Sequence, residues 1–319
     1  MRLIIDTDTA GDDVFSLMIA LTRPGVVVEA VTIAHGNVGF ERHAENALKT
    51  IEVCGKGGAV PVYLGAPRPL SRAPLAASYV FGADGMSDSG FSAAVQRPAA
   101  GDAPDEIVRR IMAAPGEITL IAQAPLTNLA LAVMMEPRIA QTCRHLWIMG
   151  GTDNGVGNVT PAAEYNFYVD PEAAKIVLAA GFDVSIITWT ETLRDGLFTL
   201  EQLAELEALD TPRSRYFTAV NRASLAFSQQ TQGLGGSLHP DALTCAVALD
   251  AGLITESELC VVDVETKGEL TRGYLSVSHP ILPDIELADP DLVRKPPNAR
   301  VIKAVDRAGF FAAMTAALA

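Results

Sequence analysis

Basic side chains are scarce in this chain: 24 Lys and Arg stand against 38 Asp and Glu, a formal net charge of −14. No basic run offsets that excess, so nucleic acid and anionic membrane are poor partners. Cysteine is thin as well. Cys54, Cys143, Cys245 and Cys260 are scattered without a C-x-x-C pair, which supports neither a disulfide framework nor a zinc site and suits a reducing compartment. No apolar run is long enough to span a bilayer, and the amino-terminus leads into a strand without a signal-peptide pattern. These absences set the expectation of a soluble cytoplasmic protein. Phosphate-binding signatures are missing too: no G-x-G-x-x-G follows the first strand, and no G-x-x-x-x-G-K-[ST] occurs. Charged residues make up only 19% and hydrophobic ones 49%, which argues against disorder and for a large core.

What is present concentrates near the amino-terminus. Asp6-Thr7-Asp8-Thr9-Ala10-Gly11-Asp12-Asp13 packs four carboxylates into eight residues. Leu3-Ile4-Ile5 before it reads as a buried parallel strand. The run Val14–Leu21 after it is apolar almost all round and reads as a buried helix. The acids therefore belong to a turn at the carboxyl end of a strand, where open α/β sheets bind ligands. Four clustered acids repel one another, and a hard cation is the simplest neutraliser. Helix capping would account for Asp12 or Asp13 alone, not for all four.

Strands then alternate with helices along most of the chain. The pattern predicts strands over 26–34, 61–64, 117–123, 146–149, 184–187 and 301–305, and a hairpin joining 260–265 to 274–278. Helices are expected over 41–54, from 126 to 135, after Asp170-Pro171, from the capping-box spacing Thr199–Gln202, over 212–229 and over 242–251. Such alternation implies a mainly parallel, Rossmann-like open sheet with helices on both faces. No linker or repeat divides it, so 1–319 reads as one domain. Residues 65–104 are loop-rich. Within them Phe81–Gly90, dotted with Gly and flanked by Tyr79 and Phe91, reads either as a mobile lid or as an ordinary surface excursion. His35, at a strand end, reads as a packed core histidine.

With these pieces assembled, the chain resembles the inosine–uridine-type nucleoside hydrolases. Asp6, Asp8, Asp12 and Asp13 match that family's D-x-D-x-x-x-D-D in spacing and context. Gly36-Asn37, Pro125–Asn128, Met149–Gly151, Gly157-Asn158, Glu164–Asn166, Asp170–Ala174 and Val264–Thr266 follow in family order. The resemblance implies calcium-dependent hydrolysis of the N-glycosidic bond of a ribonucleoside. Asp8, Asp13 and Asp241 would hold Ca2+ together with the Gln123 carbonyl. Asp8 would be the general base toward a calcium-bound water. Asp12 and Asn37 would grip the 2′ side of the ribose, Asn166 the 3′ side, and Asn158 and Glu164 the 5′-hydroxyl, with Met149 beneath the sugar. The partner implied is a small-molecule ribonucleoside, and the assembly a homodimer or homotetramer.

The chain departs from the family pattern on the base side. Pro240 separates His239 from Asp241, so His239 as general acid competes with a reading as an exposed histidine in a loop. Phe81 stands where relatives carry His or another aromatic and would stack on the base. Trp189-Thr190-Glu191-Thr192 replaces a Leu-Asp-x-Thr-like run, and Trp189 reads as core. Arg222, Phe227 and Gln229 fall on the segment that lines the base pocket in the family. Two rivals stay open: a haloacid-dehalogenase-type phosphatase using Asp6 and Asp8, and a non-catalytic ribosyl-binding homologue.

Overall fold

The structure is a computed structural model that describes residues 1–278 and 296–319. Eleven strands are described: β1 (Arg2–Thr7), β2 (Val27–Ile33), β3 (Val62–Leu64), β4 (Ile118–Ala122), β5 (His145–Met149), β6 (Val184–Ile187), β7 (Leu197–Thr199), β8 (Gly236–Leu238), β9 (Ile254–Val264), β10 (Leu275–Ser278) and β11 (Ala299–Val305). Nine of them form one sheet in the order β10-β9-β11-β6-β5-β4-β1-β2-β3. From β3 to β11 neighbouring strands pair in parallel; β9 and β10 add an antiparallel edge. The sheet is thus the mainly parallel one the alternation predicts, and the expected hairpin is its β9–β10 edge.

Side chains of successive strand residues serve opposite cores. In β1, Leu3 and Ile5 pack with the helices Asp13–Thr22, Phe40–Val53 and Pro240–Leu249, while Ile4 packs on the other face with Ala103–Ala113, Thr127–Met135 and Pro171–Ala179. That is why the strand reads as an unbroken apolar run. The helix Asp13–Thr22 has every residue from Asp13 to Leu21 buried, as a helix apolar all round must. Thr199 and Gln202 form the reciprocal capping box.

The order of the strands positions the site. From β1 the chain steps to β2 and β3 on one side, then returns to β4, β5 and β6 on the other. The reversal opens a crevice past the carboxyl ends of β1 and β4, the usual ligand position in such sheets. The acidic turn leaves β1 there, and Gln123 leaves β4.

Candidate active site

Backbone geometry folds the acidic turn back on itself. Gly11 adopts φ +52°, a conformation side chains disfavour, and Phe81 lies so close that a Cβ at Gly11 would fall 2.3 Å from its ring. Asp13 accepts from Thr7 Oγ1 at 2.5 Å, from Ala10 N–H at 3.2 Å and from Gln123 Nε2 at 3.3 Å. Asp12 does not cap its helix; its Oδ2 accepts the Asp241 N–H at 2.9 Å. Asp8 accepts the Asn37 N–H at 2.7 Å through Oδ2. Gly36 allows that approach, because a Cβ there would lie 1.8 Å from Asp8 Oδ2. Asp6 belongs to the support beneath: its Oδ1 accepts from Thr32 Oγ1 and Asn128 Nδ2 at 2.6 and 2.8 Å.

Asp6, Asp8, Asp12, Asp13 and Asp241 are all buried, and among the described residues no Lys or Arg lines the cleft they adjoin. Burial, then the charge of Asp13, pushes Asp8 well above the usual carboxylate range. Burial leads again in lifting Asp12 to about 7 and Asp13 to about 6. Asp241 is driven up by burial, then by Asp12 and Asp13. Oxygens of Asp12, Asp13 and Asp241 converge within 4.8 Å of one another. Asp8 Oδ1 is buried without a partner among the described residues. An oxygen-only donor set of clustered carboxylates fits a hard divalent cation.

A concave cleft opens above the acids, as small-molecule sites do. Of the residues expected to meet the sugar, Asp12, Asn37, Met149, Asn158, Glu164 and Asn166 all line it, with Phe81, Gln123 and Asp241. Asp8 and Asp13 are fully buried and do not. Glu164 also serves the fold. It caps the helix Tyr165–Val169, accepting from Asn166 N–H and Gly151 N–H, both at 2.8 Å, and burial lifts it to about 7. Asn158 Oδ1 accepts the Tyr165 N–H at 2.9 Å, and Asn166 Nδ2 donates to the Met149 carbonyl at 3.1 Å.

The profile of the inosine-uridine preferring nucleoside hydrolase family matches residues 3–312. The chain belongs to the nucleoside hydrolase family. It is a ribonucleoside hydrolase, an enzyme that splits N-glycosidic bonds with water. It is 31% identical over 310 residues to the pyrimidine-specific ribonucleoside hydrolase RihA of Shewanella, covering 97% of this chain and 93% of that one. Among solved structures it is similar to a plant nucleoside hydrolase (TM-score 0.90, 30% identity, 99% of this chain and 98% of the other). It is also similar to the purine-preferring ribonucleoside hydrolase from Gardnerella vaginalis (TM-score 0.89, 25% identity, 100% and 98%).

Membership in this family, matched over residues 3–312, sets aside the phosphatase alternative. His35 is the packed residue expected, with Nε2 2.8 Å from Thr127 Oγ1. The expectation that His239 is a general acid is corrected. Its ring centroid lies 4.8 Å from Phe198, 5.4 Å from Phe15 and 5.9 Å from Phe217, and neither ring nitrogen has a partner among the described residues. Burial pushes it down to about 3. The physical reason is Pro240, which opens the helix Pro240–Leu249 and turns Asp241 to the cleft, while the His239 N–H bonds the Gly196 carbonyl at 3.0 Å and its ring enters the core. Exchange of His239 for Phe, which keeps the ring packing, is expected to lower kcat/KM by less than about tenfold. A hundredfold loss in a folded variant would restore the general-acid role.

The base side was only partly legible. Phe227 lines the cleft, but Arg222 turns away to the Ser87 carbonyl at 2.7 Å and Gln229 is not in the wall. Ser224, Ser228, Gln232 and Tyr165, which sequence reasoning missed, are in it; Trp189 is buried in the core as expected and also reaches the wall. The overlooked signal is spacing: 224, 227 and 228 share one face of the helix Pro212–Gln230.

Proposed function

We propose that the enzyme holds a calcium ion with Asp8, Asp13, Asp241 and the Gln123 carbonyl, and that Asp8 Oδ1 takes a proton from the attacking water. Bound there, calcium would supply Lewis-acid activation of water and an anchor for the ribose diol. The observation that carries this reading is the buried Asp8 Oδ1, partnerless among the described residues, near converging carboxylates that no described basic residue of the cleft neutralises.

Asp12 and the Asn37 side chain would orient the 2′-hydroxyl, Asn166 the 3′-hydroxyl, and Asn158 and Glu164 the 5′-hydroxyl. Met149 would form the floor under the sugar. The surrounding carboxylates would stabilise the positive charge that grows on the ribose as the bond breaks. With His239 withdrawn, Phe81, Tyr79 and Phe227 would stack on the base, and Ser224, Ser228 and Gln232 would offer it hydrogen bonds. A cytoplasmic location is part of the proposal, supported by four buried free cysteines and by the absence, among the described residues, of a helix long and apolar enough to cross a membrane. A homodimer or homotetramer is proposed on family likeness alone.

The test is a panel of purine and pyrimidine ribonucleosides assayed for free ribose, with added calcium and after chelation. Ribose release that chelation stops and calcium restores is the expected outcome. Release that survives exhaustive chelation would overturn the metal assignment.

A further inference from the structure

The loop from Gly82 to Gly90 is fastened on two sides. Toward the acidic turn, the Gly85 carbonyl accepts the Gly11 N–H at 2.9 Å, and Asn46 Nδ2 donates to both the Asp84 and Thr9 carbonyls, each at 2.9 Å. Internally, Asp84 Oδ1 accepts from Met86 N–H and Asp88 N–H at 2.6 and 2.9 Å, and Asp88 Oδ1 accepts from Ala83 N–H at 2.9 Å. Toward the helix Pro212–Gln230, one buried hydroxyl makes the joint. Ser87 Oγ donates to the Val220 carbonyl at 2.5 Å and accepts the Ala223 N–H at 2.8 Å. The Ser87 carbonyl accepts from Arg222, and Ser89 Oγ donates to the Ala219 carbonyl at 3.3 Å. The loop is therefore a bracket, bonded to the acidic turn on one side and to the helix Pro212–Gln230 on the other.

Ser87 holds this position with φ +59°, uncommon for a residue with a side chain. Its hydroxyl meets a backbone donor and a backbone acceptor three residues apart inside one helix. A side chain set into a helix ladder fixes the local bend and the direction of the turns beyond it. The turn beyond is the one that carries Ser224, Phe227 and Ser228 into the cleft. The same helical turn is held from its other side by Ser237 Oγ, which donates to Asn221 Oδ1 at 2.7 Å.

We propose that Ser87 is a positioning residue for base recognition: through the Gly82–Gly90 bracket it sets the base-facing half of the helix Pro212–Gln230 relative to the acidic turn. The proposal rests on the ribonucleoside hydrolase reading and adds a residue that touches neither sugar nor cation. It predicts that removing the hydroxyl harms recognition of the base and spares the chemistry at the ribose.

The experiment compares Ser87→Ala and Ser87→Gly with the parent on two substrates. One is the best nucleoside of the panel. The other is 4-nitrophenyl β-D-riboside, whose leaving group departs without protonation. Glycine also relieves the positive φ, so agreement between the variants isolates the hydroxyl from backbone strain. Expected is a loss of about tenfold in nucleoside kcat/KM, carried mainly by KM, as for one bridging hydroxyl. The riboside rate should change by less than about twofold, with calcium affinity by titration calorimetry unaltered. Equal losses on both substrates, or none on the nucleoside, would overturn the proposal. Failure of the hydrolase reading would show already in the parent enzyme, and failure of this one only in the variants.

Discussion

Asp8→Asn is expected to lower kcat/KM at least about a thousandfold, the upper part of the range for loss of a general base, and at the same time to raise the melting temperature of the cation-free protein. Both halves come from the same environment. Asp8 is fully buried, with one oxygen held by the Asn37 N–H and the other unpartnered among the described residues. An asparagine can keep the first bond, but it then turns an NH₂ group to the place of the free oxygen. That group neither accepts a proton nor binds a cation. Without the cation, however, the substitution removes one charge from a nest in which Asp13 and Asp12 oppose it. A residue kept for stability would show the reverse pattern. Steady-state assays and calorimetry in chelator decide it: activity within tenfold of the parent would remove Asp8 from the role of base.

Calcium removal should destabilise the enzyme strongly at alkaline pH and weakly at acid pH. An aspartate in an unfolded chain titrates near about 3.9. In the cation-free fold burial raises Asp13 to about 6 and Asp12 to about 7, and Asp8 and Asp241 also lie above the ordinary range. Between those limits the native state keeps protons that the unfolded chain has lost. The stability they confer is complete below about pH 4 and is lost as pH rises through the folded values. Calcium bound as proposed would displace these protons, so its own stabilisation would grow across the same window, by about 1.4 kcal/mol per pH unit for each proton released. Melting temperatures with calcium and with chelator should therefore nearly coincide close to about pH 5 and diverge toward about pH 8. A constant difference across that range would mean that the acids are ionised before the cation arrives.

The acidic turn was readable because its chemistry is local: strand, acids and helix occupy consecutive residues, and their spacing alone places them at a strand end. Asp241 and Asn166 were reachable only through resemblance, since nothing near them in the chain states what they will face. Gly36 entered the sequence reading as part of a family motif. Its use is to leave room for Asp8 Oδ2, a contact between two strand ends. His239 misled because a histidine beside an acid suggests catalysis, and one inserted proline carried its ring into an aromatic core instead. The helix Ala103–Ala113 and the pairing of β7 with β8 left too little local signal. Trp189 and the serines of the base wall meet across elements far apart in sequence, so their common purpose exists only after folding.

The bond between Asp12 and the Asp241 amide spans 229 positions of the chain. At about 5–20 residues per second, a ribosome needs roughly 11 to 46 s to deliver the second partner after the first. Throughout that interval the nascent polypeptide displays its first acids without the segment that encloses them. Loading of the proposed metal would thereby wait for the synthesis of Asp241, and a chain released before that residue emerges without a finished cage.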